Sequence, residues 1–300
     1  MRLSKLCLGT AQLGMDYGVN NTTGKPGFEA SRAIIQTAVE GGITTFDTAP
    51  AYGESEEILG RCLKESDKEC ILISKLPAVD GTQPPREIGR SMRRQLETTL
   101  SRLDIAKLPV YLFHRFEDVR LGQGLAVKEM ESFKAQGLLE KWGVSIYTPG
   151  QAEACLDIEG LEVIQAPFSV ADKRLLENDF LRRAKKKAKI ILARSVFLQG
   201  LFFKKSLPGP LKDFEPFRQK LEAAGRDEDL DISELALRFV LSFEAIDSVL
   251  IGVETLGQLK DNMRIFYKGG LPKSLLDRIR SLGSASENII DPRQWSATAR

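Results

Sequence analysis

His114 is the only histidine of this chain, and it follows directly on an apolar run, Leu108-Pro109-Val110-Tyr111-Leu112-Phe113. Two earlier apolar runs end in polar groups in the same way. Gly42-Ile43-Thr44-Thr45-Phe46 runs into Asp47, with Tyr52 five residues later, and Cys70-Ile71-Leu72-Ile73-Ser74 runs into Lys75. If these runs are parallel strands of one barrel, the four ionisable groups meet at the mouth where the strands end. A carboxylate, a phenol, an ammonium and an imidazole make an acid/base set rather than a packing set. A free tyrosine has a pKa near ~10, and a neighbouring ammonium stabilises its anion and lowers that value. Asp47 would supply the charge that keeps Lys75 protonated, and His114 would donate a hydrogen bond to a substrate oxygen. Such a set delivers a proton to a carbonyl oxygen that gains negative charge. None of the four is a good covalent nucleophile here, so a hydride from a cofactor is the natural complement.

The elements that must position these groups alternate along the chain. Short apolar runs fall near residues 5–9, 43–46, 70–74, 108–113, 140–145, 161–166, 189–193 and 247–251. Amphipathic stretches lie between them, as in 28–41, in 87–103 after Pro84-Pro85, and in 233–243, which Asp231 or Ser233 could cap. Eight strand–helix units over this length are the arithmetic of a single-domain (β/α)8 barrel spanning residues 1–300. A doubly wound sheet would carry a glycine-rich GxGxxG turn, and Gly9-Thr10-Ala11-Gln12-Leu13-Gly14 is not one. A long loop is expected over about 199–231, rich in Pro208, Gly209, Pro210 and charges. With a carboxyl tail over about 284–300, it is expected to cover the active-site face.

Composition narrows the remaining classes. With 42% apolar residues, 28% charged residues and a formal net charge of +2, the chain reads as a globular protein. No long basic block suggests a nucleic-acid partner. The densest basic cluster, Arg182 to Lys187, reads as a solvated helix face. Cys7, Cys62, Cys70 and Cys155 form no CxxC pair, and with one histidine a zinc site lacks ligands, so no metal is expected. Cys7 and Cys70 read as buried thiols within strands. No stretch is long enough for a signal peptide or a membrane span, and free thiols fit a reducing cytoplasm.

The sequence resembles the aldo-keto reductases. The resemblance runs from about Leu6 to about Asn262. It rests on Leu8-Gly9-Thr10-Ala11-Gln12-Leu13-Gly14, on Gly42-Ile43-Thr44-Thr45-Phe46-Asp47-Thr48-Ala49, and on Tyr52-Gly53, Ser55-Glu56 and Leu59-Gly60. It implies a (β/α)8 barrel, NAD(P)H-dependent carbonyl reduction and a catalytic tetrad of Asp47, Tyr52, Lys75 and His114. Trp142-Gly143-Val144-Ser145 resembles the family's fifth-strand motif, so Ser145, with Gln165 on the sixth strand, is implied to hold the nicotinamide carboxamide. The position after Ser145, often Asn in the family, is Ile146. Arg194 stands where many members place an aromatic ring against the nicotinamide, and a guanidinium plane can also stack. Ser195 and the segment Gln199, Gly200 and Leu201 are implied as pyrophosphate contacts, with Thr10 also beside the cofactor. Gly252, Gln258, Asp261 and Asn262 resemble the segment that grips the adenosine end.

The resemblance therefore implies NADPH as cofactor, with NADH possible. NADP-selective members place Arg or Lys where this chain has Gly252, Glu254 and Gln258; Lys204, Lys205 or Lys260 are the alternative bases. The expected substrate is a small carbonyl compound, in a pocket lined by the loop after His114, the long loop after Leu201 and the tail with Trp295. The chain is expected to act as a monomer or weak homo-oligomer without a nucleic-acid or membrane partner. Two rival readings are a non-catalytic NADP-binding regulatory subunit of the same fold, and a barrel lyase or isomerase using Lys75 as a Schiff-base amine.

Overall fold

A computed structural model of the chain describes residues 1–207 and 209–295. Of the expectations above, Pro208 in the long loop and residues 296–300 in the tail lie outside the described residues. The strands are β1 (Leu6–Gly9), β2 (Thr45–Asp47), β3 (Ile71–Leu76), β4 (Leu108–Phe113), β5 (Leu139–Ser145), β6 (Val163–Pro167), β7 (Ile190–Arg194) and β8 (Ser248–Gly252). They pair in parallel in chain order, and β8 returns to β1, so the sheet closes into a (β/α)8 barrel. After β1 come a single turn, α1 (Ala11–Gly14), and then α2 (Phe28–Glu40). The next strands are followed by α3 (Ser55–Leu63), α4 (Pro85–Leu103), α5 (Leu125–Ala135), α6 (Pro149–Leu156) and α7 (Phe180–Lys186). β7 is followed by α8 (Glu215–Arg226) and α9 (Ile232–Leu241), and β8 by α10 (Leu256–Tyr267), α11 (Lys273–Ser281) and α12 (Glu287–Ile290).

Successive side chains of a strand point to opposite faces, and in a closed barrel one face is the interior. Cys7, Ile71, Ile73, Val110, Leu112, Val163 and Leu192 form one apolar cluster, the filling of the barrel. The alternate residues, such as Leu72, Tyr111, Phe113, Trp142, Ile164 and Ile191, join helix residues Ile35, Leu59, Met92 and Phe133 in a larger cluster around it. Counting by twos from the inner set along its strands leads to Lys75, His114, Gln165 and Arg194, and the register puts Ser145 opposite Gln165. The register puts Asp47 opposite Ile73 of the same set. The inward phase of the strands therefore carries the polar groups to the top layer of the barrel. Asp47 is the last residue of β2 and Lys75 lies within β3, rather than beyond the strand ends.

Several local readings are revised. α4 begins at Pro85, because proline with its fixed φ and missing N–H suits the first helical turn. Cys7 is buried in β1, but Cys70 lies just before β3 and is half-buried. The stretch expected as a long loop holds α8 and two 3-10 segments, Leu198–Phe203 and Gly209–Phe214. Its Phe202, Leu207, Leu211, Phe214 and Leu221 are buried, so packing rather than propensity orders it. Among the described residues, no helix is long and apolar enough to cross a membrane.

Asp231, not Ser233, caps α9: its Oδ1 accepts the Glu234 N–H at 2.8 Å. Asp231→Ala leaves that N–H without its partner and should lower stability by about 1 kcal/mol. Denaturant unfolding should show a lower midpoint at unchanged slope. An unchanged midpoint would mean that the carboxylate does not hold the helix start.

Candidate active site

Lys75 is 1% exposed, and its ammonium is fixed from two sides. It donates to Asp47 Oδ1 at 2.6 Å and to the Thr48 carbonyl at 3.0 Å. The second oxygen of Asp47 accepts from Gln165 Nε2 at 2.7 Å, across the barrel from β6. Below Asp47 and Thr48 lie three buried hydroxyls. Thr10 Oγ1 donates to the Asp47 carbonyl at 3.0 Å, and Ser55 Oγ lies 2.5 Å from Thr10 Oγ1 and 2.8 Å from Thr48 Oγ1. Tyr52 sits in a turn that packs closely on α1. A Cβ on Gly14 would lie 1.8 Å from the Tyr52 carbonyl oxygen, so only glycine permits this approach. The Lys75 ammonium lies over the Tyr52 ring, 4.8 Å from its centroid, and the His114 ring meets Tyr52 edge-on at 6.1 Å.

Burial and charge compete at each of these groups. Burial alone would lower Lys75, yet the Asp47 carboxylate and the Tyr52 phenol hold it above the ordinary lysine value. Tyr52 goes the other way from expectation. Loss of water raises its pKa above the ordinary value, and the Lys75 ammonium offsets this only in part. His114 is pushed down to about 3, first by burial and then by the positive charges of Lys75, Arg194 and Arg115. At neutral pH the site holds a carboxylate, an ammonium, a protonated phenol and a neutral imidazole.

A cavity of about 1110 Å³ opens above this cluster. Asp47, Tyr52 and His114 line it, and Lys75 is buried behind them. Thr10, Ser145, Gln165, Arg194, Ser195, Gln199 and Gly200 line it as well, as do Gly252, Gln258, Asp261 and Asn262 from β8 and the helix after it. Leu201 does not belong to this wall: it is fully buried in the protein. Trp295 is also turned inward and donates to the Ile289 carbonyl at 3.1 Å; Pro292 and Arg293 line the cavity in its place. The backbone of Ser195, Leu198 and Gln199 has φ of 62°, 46° and 53°. Left-handed backbone at three non-glycine residues in one loop is costly and typical of a functional segment. The loop after β1 reaches over to it, with the Val19 N–H on the Gln199 carbonyl at 2.9 Å.

The aldo/keto reductase family model matches residues 5–284. The chain belongs to the aldo/keto reductase family. It is an oxidoreductase, and members of this family bind NAD(P)H. An uncharacterized oxidoreductase of Mycobacterium tuberculosis is 28% identical over 87% of this chain and 84% of its own length. D-arabinose 1-dehydrogenase of Saccharomyces cerevisiae is 25% identical, covering 89% of this chain and 85% of its own. Among solved structures, the aldo-keto reductase AKR11C1 of Bacillus halodurans superposes with a TM-score of 0.77 at 20% identity, covering 96% of both chains, which supports the fold.

This aldo-keto reductase also has cavity residues that strand-end reasoning missed: Tyr17, Tyr147, Phe203, Arg264 and Arg293. All lie in loops or on helices, where no alternation marks the inward side. Arg264 lines the cavity and pairs with Asp261 at 3.5 Å, whereas Lys204, Lys205 and Lys260 do not line it. Lys204 is committed to the Val19 carbonyl at 2.5 Å.

Because His114 is the only histidine of the chain, its imidazole resonances need no assignment by mutation. With a pKa near 3 it should remain neutral from pH 8 down to pH 5, where a free histidine, with its value near ~6.5, is largely protonated. An NMR titration with a midpoint near the ordinary histidine value would contradict the packing of charges around it.

Proposed function

We propose that the chain reduces an aldehyde or ketone to the alcohol with NADPH as hydride donor and Tyr52 as general acid. The observation that carries this reading is the continuity of the Asp47–Lys75–Tyr52–His114 cluster with a cavity that is also lined by Ser145 and Asn262, whose side chains have no hydrogen-bond partner among the described residues. The residues present fit a nicotinamide dinucleotide. Gln165 uses its Nε2–H on Asp47, which leaves Oε1 to accept from an amide. The buried Ser145 hydroxyl and the Asn262 amide line the cavity and have no hydrogen-bond partner among the described residues. One carboxamide and one adenine have matching donors and acceptors.

When bound, the reduced nicotinamide supplies a hydride to the carbonyl carbon. Tyr52 donates its proton to the carbonyl oxygen as the π-electron pair moves there. A phenol whose pKa is raised keeps that proton at neutral pH, which suits the direction of reduction. Lys75, held protonated by Asp47, stabilises the phenolate that forms. Neutral His114 donates a hydrogen bond to the same oxygen and aligns the carbonyl. Arg194 and Ser195 would lie beside the nicotinamide and phosphates, and Thr10, Gln199, Gly200 and Gly252, which line the same cavity, would bound the groove. A cytoplasmic location and a monomeric or weakly associated state complete this reading.

Tyr52→Phe should lower turnover by about 10²–10⁴-fold, the usual worth of a general acid, with NADPH affinity nearly unchanged. Steady-state rates on a generic aldehyde and a cofactor titration separate the two effects. Retention of most of the turnover would remove Tyr52 from the role.

Glu254 accepts from Gln258 Nε2 at 2.8 Å and lines the cavity, which supports reading its carboxylate as the group a 2′-phosphate would meet. NADPH should therefore bind with weak selectivity over NADH. Glu254→Arg replaces repulsion by a charge-assisted contact worth roughly 1.5–3 kcal/mol, or about one to two decades. It should tighten NADPH by that factor and leave NADH almost untouched. Equal changes in the two dissociation constants would show that Glu254 does not face the 2′ position.

A further inference from the structure

Arginines on the cavity wall and beside it fall into two groups: Arg194 and Arg293 line the cavity, Arg115 follows His114, and Arg174 bonds the Tyr147 carbonyl. Arg115, Arg174 and Arg293 are each held by an aspartate close in sequence: Asp118 at 2.6 Å, Asp172 at 2.8 Å and Asp291 at 2.7 Å. Their charges are locally cancelled. Arg194 lines the cavity and has no carboxylate within ion-pair distance among the described residues. Its guanidinium donates to the Ile146 carbonyl at 2.8 Å and to Ser195 Oγ at 3.0 Å, and lies 4.2 Å from the centroid of the Tyr147 ring. A guanidinium has five N–H donors, and these two bonds leave three without a partner among the described residues. A half-buried cation with unfilled donors on a cavity wall is costly unless something anionic completes it.

Its direction separates substrate from cofactor phosphate. Arg194 ends β7, whose far neighbour β8 leads to Gly252 and the adenosine end. The guanidinium turns the other way, back to Ile146 and Tyr147 beyond β5, on the side of the barrel that carries His114. Its positive charge is felt at Tyr52, His114 and Tyr17, all groups of the reacting end. Close by, Lys75 is neutralised by Asp47 and His114 is uncharged, so Arg194 supplies the one uncompensated charge there. Arg293 stacks on the same Tyr147 ring at 3.7 Å and adds a second guanidinium edge, its own charge met by Asp291.

We propose that the carbonyl compound reduced at this site carries an anionic group, a carboxylate or a phosphate ester, which Arg194 receives beside Tyr147 while the carbonyl oxygen lies between Tyr52 and His114. The inference rests on the reductase reading and names its substrate class. A planar fork of donors suits the paired oxygens of either anion, which a lysine would meet only as a point charge.

Two matched pairs test it at saturating NADPH: benzaldehyde against 4-carboxybenzaldehyde, and D-glyceraldehyde against its 3-phosphate. One anionic member should exceed its neutral partner in kcat/KM by about 10- to 100-fold, and which pair shows the preference identifies the anion. Arg194→Met should collapse that ratio toward one, with the loss carried by KM, and Arg194→Lys should restore part of it. Ratios near one in both pairs, or a ratio that survives Arg194→Met, would overturn the proposal. If no aldehyde turns over, calorimetric binding of two pairs to the NADP⁺-loaded protein decides instead, 4-(hydroxymethyl)benzoate against benzyl alcohol and glycerol 3-phosphate against glycerol, and the anion site stands only if one pair shows the preference. Preferential binding lost in Arg194→Met sustains the anion site while the reductase reading fails. Equal binding within both pairs overturns the anion site itself.

Discussion

The buried ion pair between Lys75 and Asp47 is the constraint on which the site depends. With side chains 1% and 4% exposed, neither charge is tolerable alone. Removing one partner of such a pair leaves an uncompensated buried charge and typically costs about 3–5 kcal/mol. The surroundings are therefore built to keep both. Gln165 bonds the second carboxylate oxygen, and the Thr48 carbonyl accepts a second ammonium N–H. The hydroxyls of Thr10, Ser55 and Thr48 fix the backbone that carries the carboxylate. β1, β2, β3, β6 and α3 thus converge on two atoms, and a shift of any of them would be felt at the ammonium. A polar cluster this closely bonded is rigid, which is what the proposed proton donor would require.

Much of this was readable from the sequence, for a reason of period. A barrel strand alternates, so an apolar run of known phase tells which polar residue at its end faces inward. Lys75, His114, Gln165 and Arg194 obey that count, and the register puts Asp47 and Ser145 with them. Tyr52 does not lie on a strand; it was legible because the Asp47-to-Gly53 segment carries a specific family signature. The close contact of Gly14 with the Tyr52 carbonyl explains why that signature and the first glycine-rich turn occur together.

What stayed hidden depends on contacts between residues distant in sequence. Tyr17, Tyr147 and Arg293 come together only because three loops meet over the barrel mouth. The segment after β7 looked structureless because its prolines and charges mask the spacing of Phe202, Leu207, Leu211 and Phe214, which are buried against the rest of the core. Trp295 was expected on the pocket wall as a large aromatic in the tail. The bond from its indole N–H to the Ile289 carbonyl instead turns the ring inward, and the neighbouring Arg293 takes the wall. The direction of the Tyr52 pKa shift was misjudged for a similar reason. Sequence gives the neighbouring ammonium but not the depth of burial, and burial is the larger effect.

The outcome of that competition differs from group to group, and the differences are mutually consistent. Charge wins at Lys75, because Asp47 lies 2.6 Å away. Burial wins at Tyr52 and His114, whose neighbours are mostly cations or the other's ring. The result is a single protonation state over the neutral range, with the Tyr52 phenol protonated and the His114 imidazole neutral. A neutral His114 matters to the field as well as to the hydrogen bond. An imidazolium beside Lys75 and Arg194 would make three cations around one oxygen, and each would raise the cost of the others. Holding His114 uncharged leaves the Lys75–Asp47 pair balanced and the guanidinium of Arg194 as the net charge facing the reacting end of the cavity.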